Sequence, residues 1–304
     1  MKTFYSNGKL LLTGEYAVLD GALCLALPTR YGQNLQLSPL AKPEIQWNSR
    51  DHKGAVWFGA NIPIASLKGA AQTEALKGST LEVLVQILAE ARKLNPEFLS
   101  GKSGYTVDTH MDFPRSWGLG TSSTLINNIA QWARVDPYLL LSNTFGGSGY
   151  DIACAQHNTA IFYHLKKQEP RVTEIDFNPS FTSSLFFVYL NRKQDSREAI
   201  AAYRKKEGNK LDLVQKISSL TRSIAASKKL EEFEVLLLQH EKLISEALEL
   251  PAIKETYFPD FEGIVKSLGA WGGDFVLATG PEKAQEYFRK KGYTTVIPYS
   301  DMIL

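Results

Sequence analysis

The chain has 304 residues, of which 44% are hydrophobic and 22% are charged, and it carries a formal net charge of +2 at pH 7. This length predicts one large or two ordinary domains, and the composition is typical of a soluble globular protein. The small net charge gives no argument for binding nucleic acid or an acidic membrane, and no apolar run is long enough to span a bilayer.

The two cysteines, Cys24 and Cys154, are far apart and show no metal-ligand spacing. This pattern favours a reducing compartment over a disulfide scaffold. The N-terminal apolar stretch contains Lys9 and Glu15, so it is a poor signal peptide. We therefore expect a cytoplasmic protein.

The first half of the chain predicts an all-β meander that is followed by helices. An Asn-Gly pair favours a tight turn, so a break is expected at Asn7-Gly8 within the first strand. Apolar residues at helical spacing predict a helix over residues 80–94. The predicted strands span residues 3–13, 22–27, 32–37, 44–47, 55–62, 104–112 and 159–164. Pro28 lies between the second and the third of them. Short helices are expected from Pro137 to Leu141 and after the glycine turn at residues 145–150.

The second half mixes helices and strands, which indicates an α+β domain. The polar stretch 166–180 is the predicted boundary, which divides the chain into an N-terminal domain, residues 1–175, and a C-terminal domain, residues 176–304. The predicted helices span residues 196–205, 210–226, 230–250, 258–268 and 281–290, and the predicted strands span residues 185–190, 275–278 and 294–297.

One stretch, residues 113–128, combines a glycine turn with a run of hydroxyl residues and a helix. Glycines let a backbone approach a ligand closely, and the first turn of a helix offers free N–H groups and partial positive charge. The pattern indicates an anion-binding loop, although a plain N-capped helix after a glycine turn would look the same. The residues concerned are Pro114, Gly118, Leu119, Gly120, Thr121, Ser122 and Ser123.

Three charged residues outside this loop are candidates for chemistry. Asp151 follows a second glycine turn at a helix start, where it would serve either as a general base or as a partner of the helix dipole. Lys9 lies in an apolar strand and is either aimed at an anion or extended to solvent at the strand end. Glu15 lies in a glycine-bounded turn and is either structural or a substrate contact. Neither cysteine nor any histidine shows the context of a nucleophile or metal ligand.

Four motifs together resemble those of the GHMP small-molecule kinases, in matching order over nearly the whole chain. Residues 7–10 with 14–19, the latter reading GEYAVL, resemble the family's first motif. Residues 114–123 resemble its ATP loop, and residues 147–153, GSGYDIA, resemble the motif that carries its catalytic aspartate. Residues 269–274 are a weaker match to the third motif. The GEYAVL form of the first motif and the Gly-Gly-Asp of the third motif look most like the branch of mevalonate kinase and phosphomevalonate kinase.

The resemblance implies an α+β, two-domain fold with an active site in the cleft between the domains. The N-terminal domain would resemble ribosomal protein S5 domain 2, and the C-terminal domain would be ferredoxin-like. The implied cofactors are ATP and Mg²⁺, the implied partner is a small-molecule acceptor, and no nucleic acid or membrane is expected. The implied reaction transfers the γ-phosphoryl group of ATP to mevalonate or 5-phosphomevalonate.

Each residue of the motifs receives a role from the resemblance. The loop 114–123 would wrap the ATP phosphates, and Ser122 would help to hold Mg²⁺. Asp151 would orient or deprotonate the acceptor hydroxyl, and Lys9 would be the cation paired with it. The residues that match positions near the acceptor are Glu15, Tyr16, Ser148 and Gly149.

The sequence departs from the family pattern at the metal site. A glutamate that completes the Mg²⁺ site in several members should lie between Ser123 and Asp151, and the only acid there is Asp136, whose context predicts a helix cap. Trp117, inside the loop, would either cover the nucleotide or pack between domains. The cations Arg192, Lys193 and Arg197 would meet an anionic acceptor or lie exposed.

Other functions remain open from the sequence. A sugar or homoserine kinase of the same family is the enzymatic alternative, and a related ATP-dependent decarboxylase is a further one. A catalytically silent nucleotide-binding sensor is the alternative from another class.

Overall fold

A computed structural model describes residues 1–68, 78–192, 203–205, 210–269, 271 and 273–304. Most of the helix predicted at residues 196–205 lies outside the described residues, as do Lys193, Arg197, Ala270 and Gly272. The chain forms two compact units that alternate along the sequence. The first unit consists of residues 1–8, 31–115 and 119–156, and the second consists of residues 9–30, 116–118 and 157–304. The domain boundary after residue 175 stays a prediction.

The first unit contains a mixed sheet. Its strands follow the order β4-β3-β5-β2, in which β3 and β5 run parallel and the other neighbours run antiparallel, and β1 also pairs with β2. The strands are β1 (Lys2–Thr13), β2 (Cys24–Leu40), β3 (Glu44–Arg50), β4 (Val56–Pro63) and β5 (Gly104–Met111). Residues 9–13 of β1 and 24–30 of β2 belong to the second unit.

Four helices of the first unit contribute to one hydrophobic core with this sheet. The helix predicted at residues 80–94 is confirmed, and the Ser79 side chain caps it by accepting from the Glu82 N–H. Its apolar face buries Ile87 and Leu88 in the core that also contains Trp47. The helices are α1 (Thr80–Leu94), α2 (Thr121–Ala133), α3 (Pro137–Thr144) and α4 (Tyr150–Gln156).

The second unit contains a hairpin beside the start of β2 and an antiparallel sheet in the order β11-β8-β10-β9. The strands are β6 (Ile161–Lys166), β7 (Glu169–Glu174), β8 (Leu185–Tyr189), β9 (Val265–Ser267), β10 (Phe275–Thr279) and β11 (Val296–Pro298). The described helices are α5 (Lys210–Ala226), α6 (Leu230–Leu248), α7 (Ile253–Tyr257), α8 (Gln285–Lys290) and α9 (Tyr299–Met302). The α+β class is confirmed.

The helix predicted at residues 258–268 is wrong. These residues contain the strand β9, which pairs with β10 along Val265, Lys266 and Ser267. At Gly263 an added Cβ would lie 2.0 Å from the carbonyl oxygen of Thr279, so the chain needs glycine to approach β10. Tertiary pairing therefore overrides the local helical pattern here.

The two predicted strand breaks are also wrong. The strand β1 continues through Asn7-Gly8, and Asn7 is buried within it. The neighbouring Ser6 donates from its hydroxyl to Asn128 Oδ1 at 2.8 Å. The strand β2 continues through Pro28, whose carbonyl accepts from the Leu304 N–H at 3.2 Å. No described helix combines the length and apolar character needed to cross a membrane.

Candidate active site

The predicted phosphate loop leads into α2 through two left-handed glycines. Gly118 has φ 66° and Gly120 has φ 96°, and both values favour glycine. Gly120 is the N-cap residue of α2, and none of the described side chains caps this helix start. Ser122 lies exposed in the first turn. An uncapped N-terminus beside an exposed hydroxyl suits a phosphate, because both offer hydrogen-bond donors.

A buried polar network holds α2 in place, and sequence reasoning missed it. Asn127 Nδ2 donates to Ser6 Oγ at 2.8 Å, and Asn128 Nδ2 donates to the Gln33 carbonyl at 2.9 Å. The hydroxyl of Thr124 lies 2.8 Å from Gln33 Oε1. Two adjacent asparagines within the helix were a signal in the sequence, but their partners in β1 and β2 are far away in the chain. The network fixes the helix that presents the loop.

In the second unit, Gly118 meets Lys9 and Asp274. Lys9 Nζ donates to the Gly118 carbonyl at 2.9 Å. A Cβ added to Gly118 would lie 2.0 Å from Asp274 Oδ2, so only glycine fits. The sequence-predicted Lys9, the phosphate loop and the third glycine turn therefore converge at this residue.

Trp117 packs within the second unit. Its ring lies 5.4 Å from that of Phe275 and 6.4 Å from that of Tyr189, measured between centroids. The Tyr189 hydroxyl donates to the Ser116 carbonyl at 2.9 Å and so anchors the same segment. A role of Trp117 at the nucleotide stays a prediction.

Asp151 is the second residue of α4, directly after the predicted glycine turn. Its Oδ1 accepts from the Ile152 N–H at 3.0 Å, and the side chain is half-buried. Gly149 has φ 86°, and the half-buried Ser148 precedes it. A carboxylate in the first turn of a helix is stabilised by the helix dipole. Asp151 belongs to the first unit and Lys9 to the second, and their catalytic roles stay predictions.

Glu15 and Tyr16 are held within the second unit. Glu15 is fully buried, and Lys266 Nζ donates to its Oε1. Tyr16 has a left-handed φ of 58°, and its hydroxyl accepts from the Trp271 N–H at 3.0 Å. Sequence reasoning placed both residues near the acceptor and missed Lys266, which lies 251 positions from Glu15. The substrate contacts stay predictions.

The ionisation of Glu15 should make the stability of the protein depend on pH. Burial raises the pKa of Glu15 from 4.5 to about 7, against the lowering effect of Lys266. Because this pKa is higher in the folded state, the free energy of unfolding should fall as pH rises from about 5 to about 8. Denaturant titrations should show a flatter dependence for Glu15→Gln. Equal slopes in both proteins would contradict the raised pKa.

Asp136 is a helix cap, as predicted. Its Oδ1 accepts from the N–H groups of Tyr138 at 2.8 Å and Leu139 at 3.4 Å. Within the described residues there is no group of three or more His, Cys, Asp or Glu side chains that could hold a metal. Mg²⁺ commonly takes few protein ligands together with substrate phosphates, and the exposed Ser122 hydroxyl fits that role. A carboxylate ligand is not identified.

Two arginines near the predicted site have aromatic partners. The Arg115 guanidinium lies 3.4 Å from the centroid of the Trp57 ring. In sequence, Arg115 lies two positions before Trp117. Arg192 lies 4.6 Å from the ring centroid of Tyr257 and donates to its hydroxyl. Arg115 was not predicted, since only the fold brings it to Trp57.

Comparison with solved structures identifies the fold. A mevalonate kinase from Methanococcus jannaschii is 17% identical with a TM-score of 0.72, over 97% of this chain and 96% of that chain. A Streptococcus pneumoniae phosphomevalonate kinase, in complex with phosphomevalonate and AMPPNP, is 15% identical with a TM-score of 0.70, over 100% and 98%. A Lactococcus lactis galactokinase complexed with galactose is 12% identical with a TM-score of 0.66, over 95% and 88%.

These three neighbours are all small-molecule kinases that share one fold. The chain has the fold of the GHMP kinases, which is the fold that the motifs implied. Identities this low show the fold alone and leave the acceptor open. The sequence matches no family model and no curated protein.

Proposed function

We propose that the protein is an ATP-dependent kinase that phosphorylates mevalonate or 5-phosphomevalonate. The observation that carries the proposal is the uncapped start of α2, which follows a glycine loop whose Gly118 carbonyl accepts from Lys9. The start of α2 provides backbone N–H groups for an anionic ligand, and Lys9 would add a cation. The chain that carries these residues has the fold of the GHMP kinases.

The proposed roles follow from the chemistry of phosphoryl transfer. Its transition state is loose and anionic, so positioning and charge neutralisation do most of the work. The N–H groups at the start of α2 would hold the ATP phosphates, and Lys9 would add positive charge near the loop. Bound with ATP, Mg²⁺ would neutralise phosphate charge, with Ser122 as one ligand. Asp151 would orient the acceptor hydroxyl and accept its proton.

The choice of acceptor rests on the motifs and the neighbours. The Glu15-Tyr16 pair in motif one and the glycine-rich third motif resemble the mevalonate and phosphomevalonate kinases. Structures of both enzymes are similar to this chain over nearly its full length. The galactokinase neighbour makes a sugar the second candidate.

An acceptor panel tests the proposal. ADP release would be measured with ATP and, in turn, mevalonate, 5-phosphomevalonate, galactose and homoserine. We expect turnover with one of the first two. Turnover only with galactose or homoserine would move the acceptor to another branch of the fold. Nucleotide binding without turnover on any of them would indicate a sensor and contradict the proposal.

Replacing Ser122 by alanine should raise, by roughly tenfold, the concentrations of Mg²⁺ and of ATP at which the rate is half-maximal. This change corresponds to a loss of about 1.4 kcal/mol of binding free energy. The reason is the loss of one hydroxyl ligand at the start of α2. Initial rates over a matrix of Mg²⁺ and ATP concentrations would measure this. The matched control is Ser142→Ala, which removes an exposed hydroxyl on α3 and should have no effect. Equal behaviour of the two variants would exclude Ser122 as a ligand.

A further inference from the structure

The second unit contains a buried cluster of charged side chains to which the proposed reaction assigns no chemical step. The cluster consists of Glu15, His240 and Glu241 on α6, and Lys266 on β9. Each of the four side chains is at most 4% exposed. Burying charged groups is costly, so such a cluster is retained only where its members are paired with good geometry.

Lys266 is the centre of the cluster. Its Nζ donates to Glu15 Oε1 and, at 2.7 Å, to the Ser267 carbonyl, and it lies 3.6 Å from Glu241 Oε2. The Ser267 N–H donates to Glu241 Oε1 at 3.0 Å. One ammonium thus stands between two carboxylates. With both carboxylates ionised, the cluster would carry one uncompensated negative charge.

His240 does not supply the missing positive charge. Burial, and then the charge of Lys266, hold the pKa of His240 well below its usual value. Its Nε2 accepts from the Gly14 N–H at 2.9 Å, which requires that nitrogen to be unprotonated. The 3.5 Å approach of Nε2 to Glu15 is therefore a contact of a neutral imidazole and not an ion pair.

The cluster attaches the first motif to the third glycine turn. Gly14, next to Glu15, has φ 88°, and a Cβ there would lie 2.5 Å from the Cβ of Cys24. Tyr16, on the other side, accepts from Trp271 at 3.0 Å. The strand β9 that carries Lys266 leads into Gly269, where an added Cβ would lie 4.0 Å from Lys9 Nζ. The two turns are thus tied at Lys266 and again at Trp271.

We propose that Lys266 and Glu15 are positioning residues: their buried pair sets the geometry of the turn at residues 14–16 and of the third glycine turn beside Lys9. Affinity for the acceptor then depends on whether this pair is intact. The role in catalysis rests on the proposed kinase function, whereas the tie between the two turns does not. Neither residue needs to touch substrate.

The pair should respond to pH near neutrality. The titratable and charged groups that face Glu15 from the described elements are Lys266 on β9, His240 and Glu241 on α6, and the adjacent Tyr16. Burial raises the pKa of Glu15 to about 7 and also raises that of Glu241. When pH falls through about 7, Glu15 takes up a proton, and the ion pair between Glu15 and Lys266 weakens because the carboxylate loses its charge. We therefore expect the acceptor KM to rise over this range, with a smaller change in kcat.

The tie between the turns can be tested without turnover. The protein would be labelled with 5-fluorotryptophan, and the Trp271 fluorine resonance assigned by its loss in Trp271→Phe. In the wild type this resonance should shift with pH around a midpoint near 7. The transition should disappear in Glu15→Gln and persist in Lys266→Arg, which keeps the charge. No shift in the wild type, or the same midpoint in Glu15→Gln, would overturn the inference.

Kinetics then test the positioning role. Lys266→Met and Glu15→Gln should raise the acceptor KM by about tenfold with a smaller effect on kcat, and Lys266→Arg should restore most of the loss. The control, Lys216→Met, removes an exposed lysine that pairs with Asp212 on α5 and should behave as wild type. An unchanged KM in Glu15→Gln, which keeps the side-chain shape, would overturn the role even if Lys266→Met fails to fold. No turnover by the wild type would refute the kinase proposal, while the fluorine titration would still decide the tie.

Discussion

Replacing Asp151 by asparagine is expected to lower kcat by about 10²- to 10⁴-fold. An amide keeps the size of the side chain but cannot accept the proton of an acceptor hydroxyl. The position in the first turn of α4 stays compatible with asparagine, so the fold and the affinity for ATP should change little. Steady-state rates of ADP release and calorimetric titration with ATP would measure both quantities.

The chain offers a matched control for this substitution. Asp136 is also an acid at a helix start, where it caps α3 through the Tyr138 and Leu139 N–H groups. Asparagine caps helices about as well as aspartate, so Asp136→Asn should leave kcat unchanged. Undiminished turnover in Asp151→Asn would refute the proposed base, and an equal loss in both variants would indicate a general effect on folding.

Gly118→Ala should damage both the loop and the second unit. The added methyl group would lie 2.0 Å from Asp274 Oδ2, and the left-handed φ of 66° disfavours alanine. We expect the free energy of unfolding to fall by about 1–3 kcal/mol and the KM for ATP to rise by roughly tenfold or more. The Gly118 carbonyl would also move away from Lys9. Denaturant titration and ATP-dependent rates would measure these changes.

The control for Gly118→Ala separates backbone strain from crowding. Gly54 has φ 82°, but an added Cβ there would have no neighbour within 4 Å. Gly54→Ala should therefore cost only the strain of the left-handed backbone, about 1 kcal/mol, and leave the KM for ATP unchanged. Equal behaviour of the two variants would show that the contact with Asp274 has no importance for the loop.

The local features of the site could be predicted from the sequence, because they depend on residues close together in the chain. Glycines and hydroxyl residues before an apolar run predicted a turn followed by a helix, and the helix α2 begins at Thr121, among the hydroxyl residues. An Asp-Pro pair predicted the cap of α3 at Asp136. In each case the backbone N–H groups of the next few residues decide the structure.

The long-range features could not be predicted in this way. The partner of Glu15 is Lys266, which lies within residues 258–268. The sequence predicted a helix there, whereas the structure has a buried strand. A second case is Asn128, whose amide is satisfied by Gln33 across the first unit. Pairings of this kind follow from the tertiary structure, and the local sequence pattern does not indicate them.

The measurement that tests the central claim most directly is ADP release on the acceptor panel, carried out with the wild type and Asp151→Asn side by side. The account predicts turnover with mevalonate or 5-phosphomevalonate in the wild type and a loss of about 10²-fold or more in the variant. Tight nucleotide binding without turnover, or turnover that Asp151→Asn does not diminish, would contradict it.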